Sequence, residues 1–223
     1  ARHGLHESGC LTFKDSSANK CGVICSSFEI GASMLLTTEE FLEIKPKFVS
    51  EVLDKRRQLA RLEADLLART SRQQQAIPMP DLCRKISEVM IRTADAIEQS
   101  IDGLPTEDWQ RLAQVVTQHL PPVLVQTAGD RLMQDTPRPY LRWIMAKSLA
   151  ARMVYREGYA SLEAMPVDVI APLALEFLRI EQRRIELAGL VDNSSIMQSE
   201  QISLILRKAG IFSTMDHPTQ PDA

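Results

Sequence analysis

From residue 37 onward, apolar residues recur at steps of three and four, the period of a helix that buries one face. Phe48, Val52, Leu59, Leu62 and Leu66 fall on one such stripe, predicting a long helix after Pro46. Thr37-Thr38-Glu39-Glu40 fits a capping box, in which a Thr hydroxyl and a Glu three residues later satisfy free backbone N–H groups. Pro46 is expected to end or bend the helix so begun, because it lacks a donor and crowds the preceding turn. Residues 73–80 read as a loop held open by Pro78 and Pro80. Further helices are predicted over 81–100, 106–119, 122–134, 139–156, 166–188 and 195–209. Gly158, Gly189 and Gly210 stand where left-handed C-terminal caps are expected.

Residues 5–36 have a different texture, rich in glycine and small polar residues. Leu11, Thr12 and Phe13 suit a short buried strand, framed by Gly9 and by Asp15-Ser16-Ser17. Past Gly22, the residues Val23, Ser26, Ser27, Ile30, Met34 and Leu35 suit a helix packed closely on a neighbour. Strand, polar loop and helix together make the closing unit of an open α/β sheet whose other strands lie outside this sequence. The expected fold is therefore mainly α: the end of an α/β domain (one short strand plus a helix), then a long helical region. Such a chain is expected to be the C-terminal piece of a larger protein.

Composition narrows the function classes. The 223 residues are 44% hydrophobic and 25% charged, with a net charge of −3. That balance supplies no basic field for nucleic acid or an anionic membrane, and no apolar run approaches the roughly 20 residues of a bilayer span. Four cysteines without regular spacing suit a reducing, cytoplasmic setting. Cys21 and Cys25 share a helical spacing, but His3, His6, His119 and His217 are scattered, so no metal site is expected. No Gly-rich dinucleotide loop, P-loop or nucleophile elbow is present.

Charged clusters read first as solvated faces. Lys55-Arg56-Arg57 with Arg61 is expected to be one, supported by Glu51/Lys55 and Arg61/Asp65 at i,i+4. Glu181, Arg183, Arg184 and Glu186 read the same way. Arg138, Arg142, Trp143, Arg152, Tyr155 and Arg156 could line an anion pocket. The spacing of Tyr140, Trp143 and Met145 favours instead a packed aromatic face with arginines reaching past it to water.

Residues 14–30 carry the candidate chemistry. Ligands of open α/β sheets bind at the carboxyl ends of the strands, where helix N-termini converge. Asn19 offers two donors and an acceptor there, Gly22 permits close backbone approach, and Ser26 follows Asn19 by seven residues. The competing reading is a capped turn, since Asn, Ser and Gly also start helices for structural reasons alone.

The string Ala18-Asn19-Lys20-Cys21-Gly22-Val23, followed by Ser26-Ser27-Phe28-Glu29, resembles the closing nicotinamide-domain segment of the glutamate dehydrogenases. In that family an A-N-x-G-G-V turn precedes a helix carrying S-x-F-E or S-S-L-E. Residues 13–20, FKDSSANK, are closer to the large NAD-specific branch, whose chains carry long extensions. The runs Leu59-Ala60-Arg61-Leu62-Glu63-Ala64-Asp65-Leu66-Leu67 and Arg92-Thr93-Ala94-Asp95-Ala96-Ile97 are more loosely similar to it. The resemblance implies that residues 1–36 close a Rossmann-like NAD-binding domain and that 37–100 match the family's C-terminal helices. Residues 101–215 would form a helical extension and 216–223 a disordered tail.

The resemblance further implies that Asn19 binds the cofactor at the nicotinamide–substrate junction. Val23 would line the glutamate side-chain pocket, and Ser26 would hydrogen-bond the distal carboxylate. Cys21 departs from the family's paired glycines, so the backbone there needs no positive φ. The implied reaction is oxidative deamination of L-glutamate to 2-oxoglutarate and ammonia with NAD as cofactor, in a homo-oligomer. The catalytic Lys and Asp have no match here, so the chain alone is expected to be inactive. The alternative is a non-catalytic helical module for assembly or regulation.

Overall fold

A computed structural model describes residues 2–208, apart from the side chains of residues 2, 3, 16, 20, 21 and 208. Gly210 and the segment 216–223 lie outside the described residues. Among those described there is no strand. The chain forms α1 (Arg2–Glu7), α2 (Asp15–Ala18), α3 (Lys20–Leu35), α4 (Thr38–Gln73) and α5 (Met79–Ser100). A 3-10 turn (Ile101–Gly103) leads to α6 (Thr106–His119), α7 (Pro122–Ala128), α8 (Leu132–Asp135) and α9 (Arg138–Glu157). Last come α10 (Ala160–Glu163), α11 (Val167–Asp192) and α12 (Ser199–Lys208).

Residues 11–13 differ from the expected short strand. They make no ladder, and Leu11 and Phe13 are 65% and 47% exposed. A strand exists through its neighbours' hydrogen bonds, and no other strand is described in this chain. The polar stretch expected as a loop contains the single helical turn α2, and α3 starts at Lys20, two residues before Gly22.

The capping box forms as read: Glu40 N donates to Thr37 Oγ1 at 3.3 Å, and Thr37 N donates to Glu40 Oε2 at 2.8 Å. Thr37→Ala is expected to lower stability by about 1 kcal/mol, read as a shift of the urea midpoint. Pro46 does not end the helix, and α4 runs through it. The ring deprives one carbonyl, that of residue 42, of its helical donor, and the exposed setting of Leu42 leaves that carbonyl to water. Phe48, Val52 and Leu66 are buried as the stripe predicted, but Leu62 is 45% exposed. Leu67 and Glu63 are buried instead, since the packed face of so long a helix rotates as its partners change.

α9 is the centre of the molecule. Met145, Leu149 and Met153 are fully buried, with Leu141, Ile144, Ala150 and Val154 alongside, so the helix buries most of its circumference and leaves its arginines and Lys147 at the margin. α5 packs on it through Leu82, Ile86, Val89 and Ile97, α6 through Leu112, Val115 and Val116, and α11 adds Ile170, Ala174 and Phe177 to the same core. Polar contacts pin the connections. Arg92 donates to the carbonyls of Leu162, Glu163 and Met165, satisfying the end of α10. Glu51 Oε2 accepts from Val123 N at 2.7 Å and caps α7. Buried Asp108 on α6 accepts from Arg111 on its own helix and Arg179 on α11. The predicted helix 122–134 is two short helices, broken at residues 129–131. Gly158 ends α9 with a positive φ of 89° that favours glycine, though its ψ of 168° lies outside the left-handed helical region expected, whereas Gly189 lies inside α11 and caps nothing.

Candidate functional site

α3 lies on the helical body through one face. Phe28 is fully buried, Ala32 and Leu35 nearly so, and the Phe28 ring meets the imidazole of His119 with centroids 5.1 Å apart. At Gly31 a Cβ would stand 3.3 Å from Leu120 Cδ2, so glycine leaves room for the Leu120 side chain against α3. Tyr140 Oη donates to the Ser27 carbonyl at 3.4 Å. These contacts fix which face of α3 turns away from the body.

The outward face carries the sequence-derived candidates. Asn19, at the start of α3, is exposed, with φ −97° and ψ 7°. Val23 is 73% exposed, and Ser26 is exposed, donating to the Gly22 carbonyl at 3.1 Å. Offsets of four and seven put the three on one side of a helix. Asn19 thus keeps its amide for an external partner, and Ser26 keeps its lone pairs. To donate to a carboxylate, the Ser26 hydroxyl would give up its bond to Gly22, an exchange of one acceptor for a charged one. Cys21 is helical in backbone, and its side chain lies outside the described residues. Gly22 adopts no positive φ, and no described atom lies within 4 Å of where its Cβ would be.

Behind α3 lies a second feature that the sequence reading missed. A groove of about 820 Å³ opens between α3, α4, α9 and the end of α6. Lys55 is no member of a solvated face: it is half-buried in this groove, and its Nζ donates to the Gln118 carbonyl at 2.8 Å. Arg152, also half-buried, donates to Gln118 Oε1 at 2.7 Å. Burial holds both cations below their ordinary pKa, with the Arg152 charge adding to the effect on Lys55. His119 beside them is lowered to about 4, by burial first and then by the charges of Lys55 and Arg152. Nothing in the linear pattern separates Lys55 from Arg56 and Arg57, because the groove is made by helices distant in sequence.

The other basic residues are mostly structural. Arg138 stacks over Trp109 and pairs with Asp102, as does Arg142. Arg156 pairs with Glu181, which is therefore half-buried and not part of a solvated face. Tyr140 stacks on Trp143 at 5.7 Å, yet Trp143 is 42% exposed and lines the groove. Among the described residues no three His, Cys, Asp or Glu side chains are grouped to hold a metal, and no described helix is long and apolar enough to cross a membrane.

No family model and no solved structure matches the chain. Curated relatives do. An NAD-specific glutamate dehydrogenase of Neurospora crassa is 33% identical over 171 residues, which cover 71% of this chain and 16% of the relative. Glutamate dehydrogenase 2 of Dictyostelium discoideum is 31% identical over 175 residues, 73% of this chain and 16% of the relative. The NAD-specific enzyme of Saccharomyces cerevisiae is 26% identical over 195 residues, 80% of this chain and 17% of the relative. The chain thus spans less than a fifth of the length of the relatives it matches. Likeness over seven-tenths or more of this sequence reaches well beyond the Asn19–Glu29 string, and the chain belongs to the NAD-specific glutamate dehydrogenase family.

Proposed function

We propose that this chain is the C-terminal part of an NAD-dependent glutamate dehydrogenase, which converts L-glutamate, NAD and water to 2-oxoglutarate, ammonia and NADH. In this reading residues 1–36 close a Rossmann-like NAD-binding domain, and 11–13 become its last strand once paired with strands from elsewhere in the polypeptide. The exposure of Leu11 and Phe13 supports this, as apolar residues awaiting a cover. Residues 37–100 and 101–215 are the family's helices and their extension. The single observation that carries the reading is the outward edge of α3, where Asn19, Val23 and Ser26 lie exposed.

When bound, NAD supplies a nicotinamide ring that accepts hydride from the substrate carbon. The exposed Asn19 fits such a group as one wall of its site, able to donate to and accept from a carboxamide. Val23 packs on the aliphatic part of the substrate side chain. Ser26 donates to the distal carboxylate and so favours an acidic amino acid over a branched apolar one. The family's catalytic Lys and Asp have no match in this sequence, so in this reading the isolated chain is inactive. We place the intact enzyme in the cytoplasm as a homo-oligomer; the exposed apolar residues Leu190, Ile202 and Ile205 on α11 and α12 support subunit contacts.

Assay of the full-length polypeptide for glutamate-dependent NADH formation tests the reading, and absence of turnover would overturn it. Ser26→Ala is expected to raise KM for glutamate about tenfold, roughly the 1.4 kcal/mol of one hydrogen bond to a charged group, while leaving KM for NAD unchanged.

A further inference from the structure

The groove behind α3 meets the residues of the reaction just described only at Val23, and its lining is unlike a mere gap between helices. One wall is apolar, built from Ile24, Phe28, Leu59, Ile144 and Ala151. Opposite stand Lys55 from α4 and Arg152 from α9, both held by Gln118 at the end of α6. Among the described residues neither cation has a carboxylate within 4.0 Å; their bonds go to a backbone carbonyl and a neutral side-chain amide. The other cations of the groove include Arg156, which is paired with Glu181, and Lys147, which reaches Asp95 at 3.5 Å. Asp65 and Glu181 also line the groove, and Glu51 and Glu181 partly offset the cost of burying Lys55 and Arg152. Yet among the described residues the two partly desolvated cations stand without a direct carboxylate partner, at one end of a cavity large enough for a small organic molecule.

We propose that this groove binds a small organic anion, an oxyanion head group on an apolar body, with the head between Lys55 and Arg152 and the body along Ile24, Leu59 and Ile144. Partial burial and mutual repulsion cost these cations free energy, which an anion placed between them offsets. The planar Arg152 fork matches a carboxylate or a phosphate, and Lys55 adds a point charge that either would use. His119 contributes no charge at neutral pH and gives the site a polar, uncharged edge. Val23 borders both this groove and the outward edge of α3, but Lys55 and Arg152 take no part in the dehydrogenase reading, so the failure of one is distinguishable from the failure of the other.

Calorimetric titration of the full-length polypeptide with octanoate, octyl phosphate and octan-1-ol tests this. At least one of the two acids is expected to bind with the alcohol at least tenfold weaker, and the stronger acid identifies the head group. Lys55→Met with Arg152→Met should weaken that acid at least tenfold, whereas Arg57→Met, at a residue paired with exposed Asp54, should leave it unchanged. If the double variant melts early, Lys55→Gln alone is to weaken binding at least threefold. Failure of both acids to bind, equal binding of the alcohol, or indifference to the loss of the cations would each overturn the proposal. So would binding by the isolated 223-residue chain but not by the full-length polypeptide, because the groove would then be filled by another part of the protein.

Discussion

Phe28→Ala is expected to destabilise the chain by about 3–4 kcal/mol, the usual cost of truncating a fully buried aromatic ring. Phe28 has no exposed surface, and it is the largest side chain that α3 buries in the helical body, with Ile24 only partly buried a turn earlier. Beyond it the contact passes to Gly31, Ala32 and Leu35, three residues with little surface to offer except the leucine. The loss should therefore be uneven. Amide exchange in α3 should accelerate far more than exchange in α9, whose Met145, Leu149 and Met153 share one core with Phe28 but which is also packed by α5, α6 and α11. Urea unfolding gives the total and exchange gives the distribution. A loss below 1 kcal/mol, or protection of α3 unchanged from the parent chain, would show that the helix is held by something other than this ring.

Acid sensitivity should trace to His119. Its folded pKa is lowered to about 4, against 6.5 for the free side chain, by burial first and then by Lys55 and Arg152. Between those values the unfolded chain takes up a proton that the folded chain refuses. Stability from this group is thus full above pH 6.5 and drains away as the pH falls toward 4. By pH 4.5 the loss amounts to about 2.5 kcal/mol. Glu40 and Asp192 are both held below the ordinary carboxylate range, by hydrogen bonds from Arg131 and Arg207, so their losses begin at lower pH. Comparing urea midpoints at pH 7.5 and 4.5 isolates the effect. His119→Gln should flatten the drop by about 2 kcal/mol, and an equally steep drop in the variant would assign it elsewhere.

How much of this was legible beforehand depends on distance along the chain. The capping box at Thr37 and Glu40, the Gly158 cap and most helix spans need only neighbouring residues, and pattern reading finds them. The reading of Gly189 as a terminator fails for a physical reason: helix ends are set by where packing stops, and α11 continues past Gly189 to Asp192. Asn19, Val23 and Ser26 were singled out by a local string, and a helical offset suffices to align them. Lys55 could not be singled out that way. Its neighbourhood comprises Gln118, His119 and Arg152, residues 63 to 97 positions away, and sequence reading without relatives has no signal for such a meeting. Leu11–Phe13 form no strand among the described residues, because a strand pattern needs a sheet to join and none is described here.

Between α3 and α4 the extended backbone is just Leu36, with φ −118° and ψ 145°, and Thr37, with φ −70° and ψ 168°. α4 then continues unbroken for 36 residues, about 54 Å at 1.5 Å each. Its near end is clamped by Glu40 to Arg131, and just past its far end Gln74 accepts from Tyr159. So short a joint leaves α3 almost no slack. With α4 held at both ends, a tilt of α3 is either absorbed by the torsions of those two residues or loads the Glu40–Arg131 pair directly.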